Sequence, residues 1–275
     1  MNDPRASISD TYRVLLFSLL MFLIVVLPLV VGSFFTGYTY SLVVTFLFFG
    51  SFLLMYLLPL YFVRWEGGES IEELGVSMND NTIRDLLIGG IAGIVSAGLV
   101  VAFASLGGVL RPASQITADL IMSEIIITVP VAFFEELCYR GYMMTRMARA
   151  WGLVPGILVS SLIFSLFHFS WWVPIGVVPI PLIILFTTNL MLGGIVLGLA
   201  YYLSGKNLWA PIGFHFMWNM IAYVMFPIYP RDYAYLPEIF QIEWGVTSIL
   251  GFTLGAILLW FSYSYIVKPE VEKLE

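Results

Sequence analysis

The stretch VLLFSLLMFLIVVLPLVVG at residues 14–32 carries no charge and almost no hydrogen-bonding side chain. At about 1.5 Å of rise per residue, a helix of this length crosses a hydrocarbon core of about 30 Å. Seven comparable stretches follow, near residues 41–63, 85–108, 125–145, 153–172, 182–203, 208–227 and 244–267. Across 275 residues, 60% are hydrophobic and only 11% charged, far from the balance of a soluble domain. Backbone groups inside a bilayer must be satisfied within their own segment, and these runs lack the alternation of a membrane barrel, so each is read as a helix. The expected fold is an all-α, polytopic membrane helical bundle of about eight transmembrane helices, forming one membrane-embedded domain over residues 1–275.

Basic residues orient the bundle. With the N-terminus inside, Arg5, Arg13, Arg64, Arg84, Arg140, Arg146, Arg149, Lys206, Lys268 and Lys273 fall on the inner side, against Arg111 and Arg231 outside. Setting Arg140 aside as intramembrane leaves the bias intact. This predicts an integral, multi-pass membrane protein in contact with membrane lipids, with both termini cytoplasmic. Trp171 and Trp172 then mark an aromatic belt at the outer interface. The first run is too long for a signal-peptide core and its lead-in has no clear cleavage site, so it is read as a retained span.

The net charge of −6 lies mostly in loops, notably Glu66, Glu69, Glu72, Glu73 and Asp80, and reads as solvated surface. No basic patch exists to bind nucleic acid. Cys138, the sole cysteine, excludes an intrachain disulfide and lacks an adjacent base in sequence, so it is read as an inert buried thiol. The longest polar connection, about Arg64 to Arg84, reads as a solvated connector, with Asn79 or Asp80 opening the next helix. Gly89, Gly90, Ala92, Gly93, Ala97 and Gly98 predict close helix packing in the third span. Residues 110–124 read as an amphipathic interfacial segment, and Asn189 as an interhelical hydrogen bond outside the site.

Against this background, a few polar residues at membrane depth stand out, because ionisable groups there cost several kcal/mol unless paired or hydrated. The fourth span contains Glu135-Glu136-Leu137-Cys138-Tyr139-Arg140-Gly141. Glu136 and Arg140, four residues apart, share a helix face and suit an ion pair, which leaves Glu135, about 100° away, for other work. Phe164 and His168 form an i,i+4 pair in the fifth span, and His215 and Asn219 another in the seventh. Two imidazoles, an amide and a carboxylate on three spans can activate water and stabilise an oxyanion.

The three motifs, Glu-Glu-x-x-x-Arg at 135–140, Phe-x-x-x-His at 164–168 and His-x-x-x-Asn at 215–219, resemble those of the CPBP family. That family comprises the Ras-converting type of CAAX prenyl endopeptidase together with bacteriocin-processing and bacteriocin-immunity (Abi-like) proteins. Gly141, the eight spans and Leu74-Gly75-Val76 ahead of a glycine-rich helix fit the same pattern, and the similarity covers a core of about 71–227. The resemblance implies an intramembrane endopeptidase cutting near the C-terminus of a prenylated CAAX-type or other membrane-associated protein or peptide. It implies Glu135 and His168 as activators of the attacking water, His215 and Asn219 as the oxyanion site, and Glu136, Arg140 and Phe164 as supporting residues.

No cofactor is the preferred expectation. Zinc is the alternative, held by Glu135, His168 and His215, although the H-E-x-x-H spacing is absent. Counted along the spans, Glu135 and His215 lie about 16 and 10 Å from the inner ends, whereas His168 lies about 20 Å along its own. Convergence therefore demands helix tilt or a late start of the fifth helix near Pro155, around a water-filled cavity expected to open to the cytoplasm. Two other functions stay open on the residues: an ion-coupled transporter built on a buried Glu, His and Arg relay, weakened by the lack of inverted repeats, and a non-catalytic immunity or scaffold protein of the same fold.

Overall fold

The computed structural model describes residues 4–169 and 178–267, with side chains from residue 10 onward. Trp171, Trp172, Lys268 and Lys273 lie outside the described residues, and so does the side chain of Arg5. Every regular element among the described residues is helical. In order they are α1 (Pro4–Gly32), α2 (Gly37–Trp65), α3 (Thr82–Leu106), α4 (Ala118–Glu136), α5 (Thr145–Trp151), α6 (Leu153–Phe167), α7 (Ile180–Leu203), α8 (Trp209–Met225), α9 (Pro237–Phe240) and α10 (Thr247–Phe261). Short 3-10 turns sit at Ile71–Leu74 and Ala113–Gln115, and π-helical segments at Leu137–Met144 and Ser262–Val267.

Five helices are long and apolar enough to cross a membrane, namely those over residues 10–32, 37–65, 82–106, 180–203 and 247–267. The chain is an integral membrane protein, but three of the eight anticipated spans do not meet that measure. The run at 153–172 contains a 15-residue helix, the run at 208–227 a 17-residue helix, and α4 carries Asp119, Glu124, Glu135 and Glu136. These three are the helices that bear the motifs.

Small residues set how closely the motif helices approach. A Cβ on Gly89 would stand 1.9 Å from the Ala210 carbonyl oxygen, and one on Gly213 would stand 2.3 Å from that of Leu86, so α3 and α8 meet backbone to backbone. The glycine-rich third span is thus the bed for His215. Gly75, at φ 99°, accepts the Leu208 N–H at 2.9 Å, and Leu74 packs on Gly141, which joins the Leu-Gly-Val loop to the entrances of two motif helices. Asn207 holds the start of α8 by accepting the Trp209 N–H (2.8 Å) while donating to Asp85 (3.0 Å), whose carboxylate also receives Tyr263 Oη (3.1 Å).

Two loop expectations change. Residues 110–124, expected as an interfacial segment, divide into a 3-10 turn at Ala113–Gln115 and the start of α4: Thr117 caps α4, and Arg111 turns away to donate to the carbonyls of Tyr223, Val224 and Phe226. A guanidinium there neutralises the carbonyl end of α8, where the helix dipole is negative. Nor is Glu66 merely solvated, since its carboxylate accepts Tyr142 Oη at 2.6 Å and pairs with Arg146 at 2.8 Å. Together with Arg149–Asp10 (2.6 Å), it ties α1 and α2 to α5.

These contacts define two ends. One carries Asp10, Glu66, Arg146, Arg149 and Lys206, the beginning of α1 and the close of the chain's described part. The other carries residues 107–117 and 226–246, joined by the Arg111 contacts and by Phe240 lying against Gly107. Single cysteines at two exposed positions, Met78→Cys and Tyr233→Cys, are expected to label from opposite sides of sealed vesicles with a membrane-impermeant maleimide, because the native Cys138 is buried. Labelling of both from one side would break this topology.

Candidate active site

The first motif straddles a change of helix type. Glu135 and Glu136 end α4, and Leu137–Met144 continue as a π-helix, a wider turn that occurs disproportionately at functional sites. The ion pair anticipated from the i,i+4 spacing forms, with Arg140 Nη1 2.9 Å from Glu136 Oε1 and both side chains all but inaccessible. The same Glu136 oxygen lies 2.8 Å from His215 Nδ1, so one carboxylate bridges a guanidinium and an imidazole from another helix. Phe164 presents its ring to Arg140 Cζ at 4.3 Å and to the His168 ring at 4.5 Å, shielding the guanidinium by a cation–π contact.

Glu135 faces elsewhere. Its Oε2 lies 4.0 Å from His168 Nε2 and 3.9 Å from His215 Nε2, and it accepts no hydrogen bond from the described residues. A buried carboxylate oxygen without a protein donor is uncommon enough to demand a reason. Side-chain accessibility separates the two acids: Glu135 keeps 19% and His168 17%, Glu136 none. Gaps near 4 Å are too long for direct bonds but fit one water touching two groups at ordinary hydrogen-bond lengths.

Neighbours fix the imidazoles. His168 Nδ1 lies 2.7 Å from the Phe164 carbonyl oxygen, which can only accept, so Nδ1 holds the hydrogen and Nε2 presents a lone pair when the ring is neutral. His215 Nδ1 donates to Glu136, so its Nε2 donates only when the ring is doubly protonated. Asn219, one turn beyond His215, is buried and lines the same cavity.

All four of Glu135, His168, His215 and Asn219 line a single cavity of about 520 Å³. The level difference between the helices is resolved without a late start, because α6 begins at Leu153, immediately after Gly152 (φ 97°) breaks it from α5. Gly156 then rests on Ala148, which draws α5 and α6 into a tight hairpin. From the cluster the cavity extends to Glu124, Ile228, Arg231 and Glu243, at the end that carries residues 226–246. The start of α1, held by Asp10 to Arg149, lies at the opposite end.

Zinc is the alternative expectation for Glu135, His168 and His215. A tetrahedral ion with ligands at about 2.0–2.2 Å would draw the donor atoms to about 3.4 Å from one another. Glu135 stands wider than that from both histidines, and among the described residues no group of three His, Cys, Asp or Glu side chains has the arrangement to hold a metal ion.

Several lining residues were not legible as site residues: Trp218, Tyr223, Glu124, Arg231 and, above all, Glu243. Glu243 lies in the loop before α10, where burial pushes its carboxyl up to about 7 against the opposing pull of His215 and the Trp218 indole. Its only signal in sequence is an acid immediately ahead of an apolar run. Asn189 is fully buried, but its amide reaches this loop rather than another helix, donating to the Glu243 carbonyl at 2.8 Å and to that of Gly245 at 3.0 Å.

Comparison with curated proteins finds no match. Residues 117–221 match the family model described as type II CAAX prenyl endopeptidase, Rce1-like, and that segment contains all three motifs, in agreement with the resemblance that they carry.

Proposed function

We propose that this protein is an intramembrane endopeptidase that hydrolyses a peptide bond near the C-terminus of prenylated CAAX-type or other membrane-associated substrates. One observation carries the reading: Glu135 Oε2, which accepts no hydrogen bond from the described residues, stands about 4 Å from two imidazole nitrogens inside a cavity. Glu135 takes a proton from a water whose second hydrogen is accepted by His168 Nε2, and the oxygen attacks the scissile carbonyl carbon. Doubly protonated His215 and the Asn219 amide donate to the oxygen that becomes negative, an effect worth about a hundredfold or more for each such donor. The C–N bond then breaks, and the proton held by Glu135 passes to the leaving amine. Glu136 and Arg140 act on the reaction by holding His215, and Phe164 by covering Arg140.

The direct test is cleavage of a fluorogenic farnesylated CAAX-type peptide by reconstituted protein, comparing the wild type with Glu135→Ala, His168→Ala and His215→Ala. Equal turnover in all four removes the assignment. The chemistry proposed is metal-free, so turnover is expected to survive prolonged chelation. Loss on chelation with recovery on adding zinc would overturn that part.

A further inference from the structure

We propose that Glu243 is a specificity-determining residue, a carboxylate placed in the reaction cavity to receive a basic side chain of the substrate close to the cleaved bond. The inference rests on the peptidase reading and names its substrate class more closely: membrane-associated peptides with a lysine or arginine beside the scissile bond.

The argument begins with the backbone. Glu243 adopts φ 66°, a left-handed conformation that costs a side-chain-bearing residue on the order of 1–2 kcal/mol and that glycine adopts freely. Such outliers persist where the surroundings over-determine them. Here the Glu243 N–H donates to Ser248 Oγ at 2.9 Å, and its carbonyl accepts from the buried Asn189. On either side Ile242 and Trp244 are buried, the latter stacked on Phe186 at 4.2 Å. Gly245 leaves no room for a Cβ, which would stand 2.4 Å from the Ile239 carbonyl oxygen. The loop is thus pinned on both flanks, and the residue at its strained position contributes a carboxylate to the cavity wall.

Charge decides what that carboxylate is for. Among the described lining residues, Glu124 and Glu135 from α4 and Glu243 from the loop supply three acids against the single guanidinium of Arg231. The other titratable groups facing the space are His168 at the end of α6 and His215 and Tyr223 of α8. In the proposed chemistry Glu135 is committed to water. Glu243, with the Trp218 indole and His215 as its neighbours, is an anion only as the pH rises through about 7, and there an incoming ammonium or guanidinium replaces lost hydration and forms a charge-assisted bond.

The test uses farnesylated peptides with lysine or norleucine placed in turn at each of the two positions on either side of the cleaved bond. Wild type is expected to favour lysine by about tenfold in kcat/KM at one position, the scale of one charge-assisted hydrogen bond. Because burial raises the Glu243 carboxyl to about 7, the preference is expected to be larger at pH 8 than at pH 6. In Glu243→Gln the ratio should fall to about one at both pH values. Glu243→Gly should lose it equally while unfolding no more readily than wild type, since glycine relieves the backbone. Cleavage with no lysine preference at any position, or a preference that survives in Glu243→Gln, overturns the inference and leaves the peptidase reading standing. If neither peptide is cleaved, the peptidase reading fails, and the ratio of binding constants for the same peptides decides the role of Glu243: tighter lysine binding lost in Glu243→Gln supports it, and equal binding refutes it.

Discussion

Glu135→Gln is expected to lower turnover of a farnesylated peptide by about a thousandfold while leaving the protein as stable as wild type, or more so. A general base contributes about 10²–10⁴ to a hydrolytic rate, and the amide keeps the volume of the side chain while removing its basicity. The stability half of the prediction follows from the geometry. Glu135 Oε2 accepts no hydrogen bond from the described residues, so exchanging it breaks no hydrogen bond at that oxygen and removes a charge from a poorly solvated place. Turnover and thermal unfolding are to be measured on the same reconstituted preparation. Near-normal turnover in Glu135→Gln would dismiss Glu135 as the base, and a large loss of stability would mean that its role is to hold the fold.

Glu136→Ala should behave in the opposite manner, losing activity together with about 3–5 kcal/mol of stability, the usual consequence of removing one partner from a buried ion pair. Arg140 would remain charged and enclosed beneath Phe164, its Nη2 already without a partner among the described residues, and His215 would lose the acceptor that fixes its ring. A double replacement, Glu136→Leu with Arg140→Met, separates the two roles. Exchanging the whole pair for apolar groups of similar volume should restore much of the stability, because no uncompensated charge remains. It should not restore turnover, because His215 Nδ1 still has no carboxylate. Should Glu136→Ala unfold no more readily than wild type, the pair is not structural. If the double variant cleaves normally, His215 needs no support from Glu136.

The contrast between these neighbouring acids shows how far linear spacing carries. Glu136 and Arg140 meet because residues four apart on a helix overlie one another, a rule that survives even the π-helical widening at Leu137. His168 and His215 were conspicuous because polar groups in long apolar runs are expensive and are kept only where they act. The apolar lengths likewise announced a helical membrane bundle, and the glycines of α3 announced a helix pressed against it. All of these are consequences of local periodicity or of solvent, and both are written along the chain.

What periodicity could not reach was the relation between distant segments. The cavity lining runs from the motif helices to the loop over residues 226–246, a relation hydropathy cannot give, because it counts spans but does not say which half of each lines a space. Asp10 and Glu66 became anchors for Arg149 and Arg146 since the helix ends bearing them pack together, whatever their polarity as isolated residues. Glu243 enters the cavity 108 residues after Glu135, on a loop held by Asn189, Ser248 and a glycine contact that no repeat in the sequence encodes. Solvent preference and helical period thus prescribed which segments are helices and which few polar residues matter. The packing of backbone against backbone, which depends on shape at contacts remote in sequence, chose which of those residues gather around one cavity and which distant loop completes its wall.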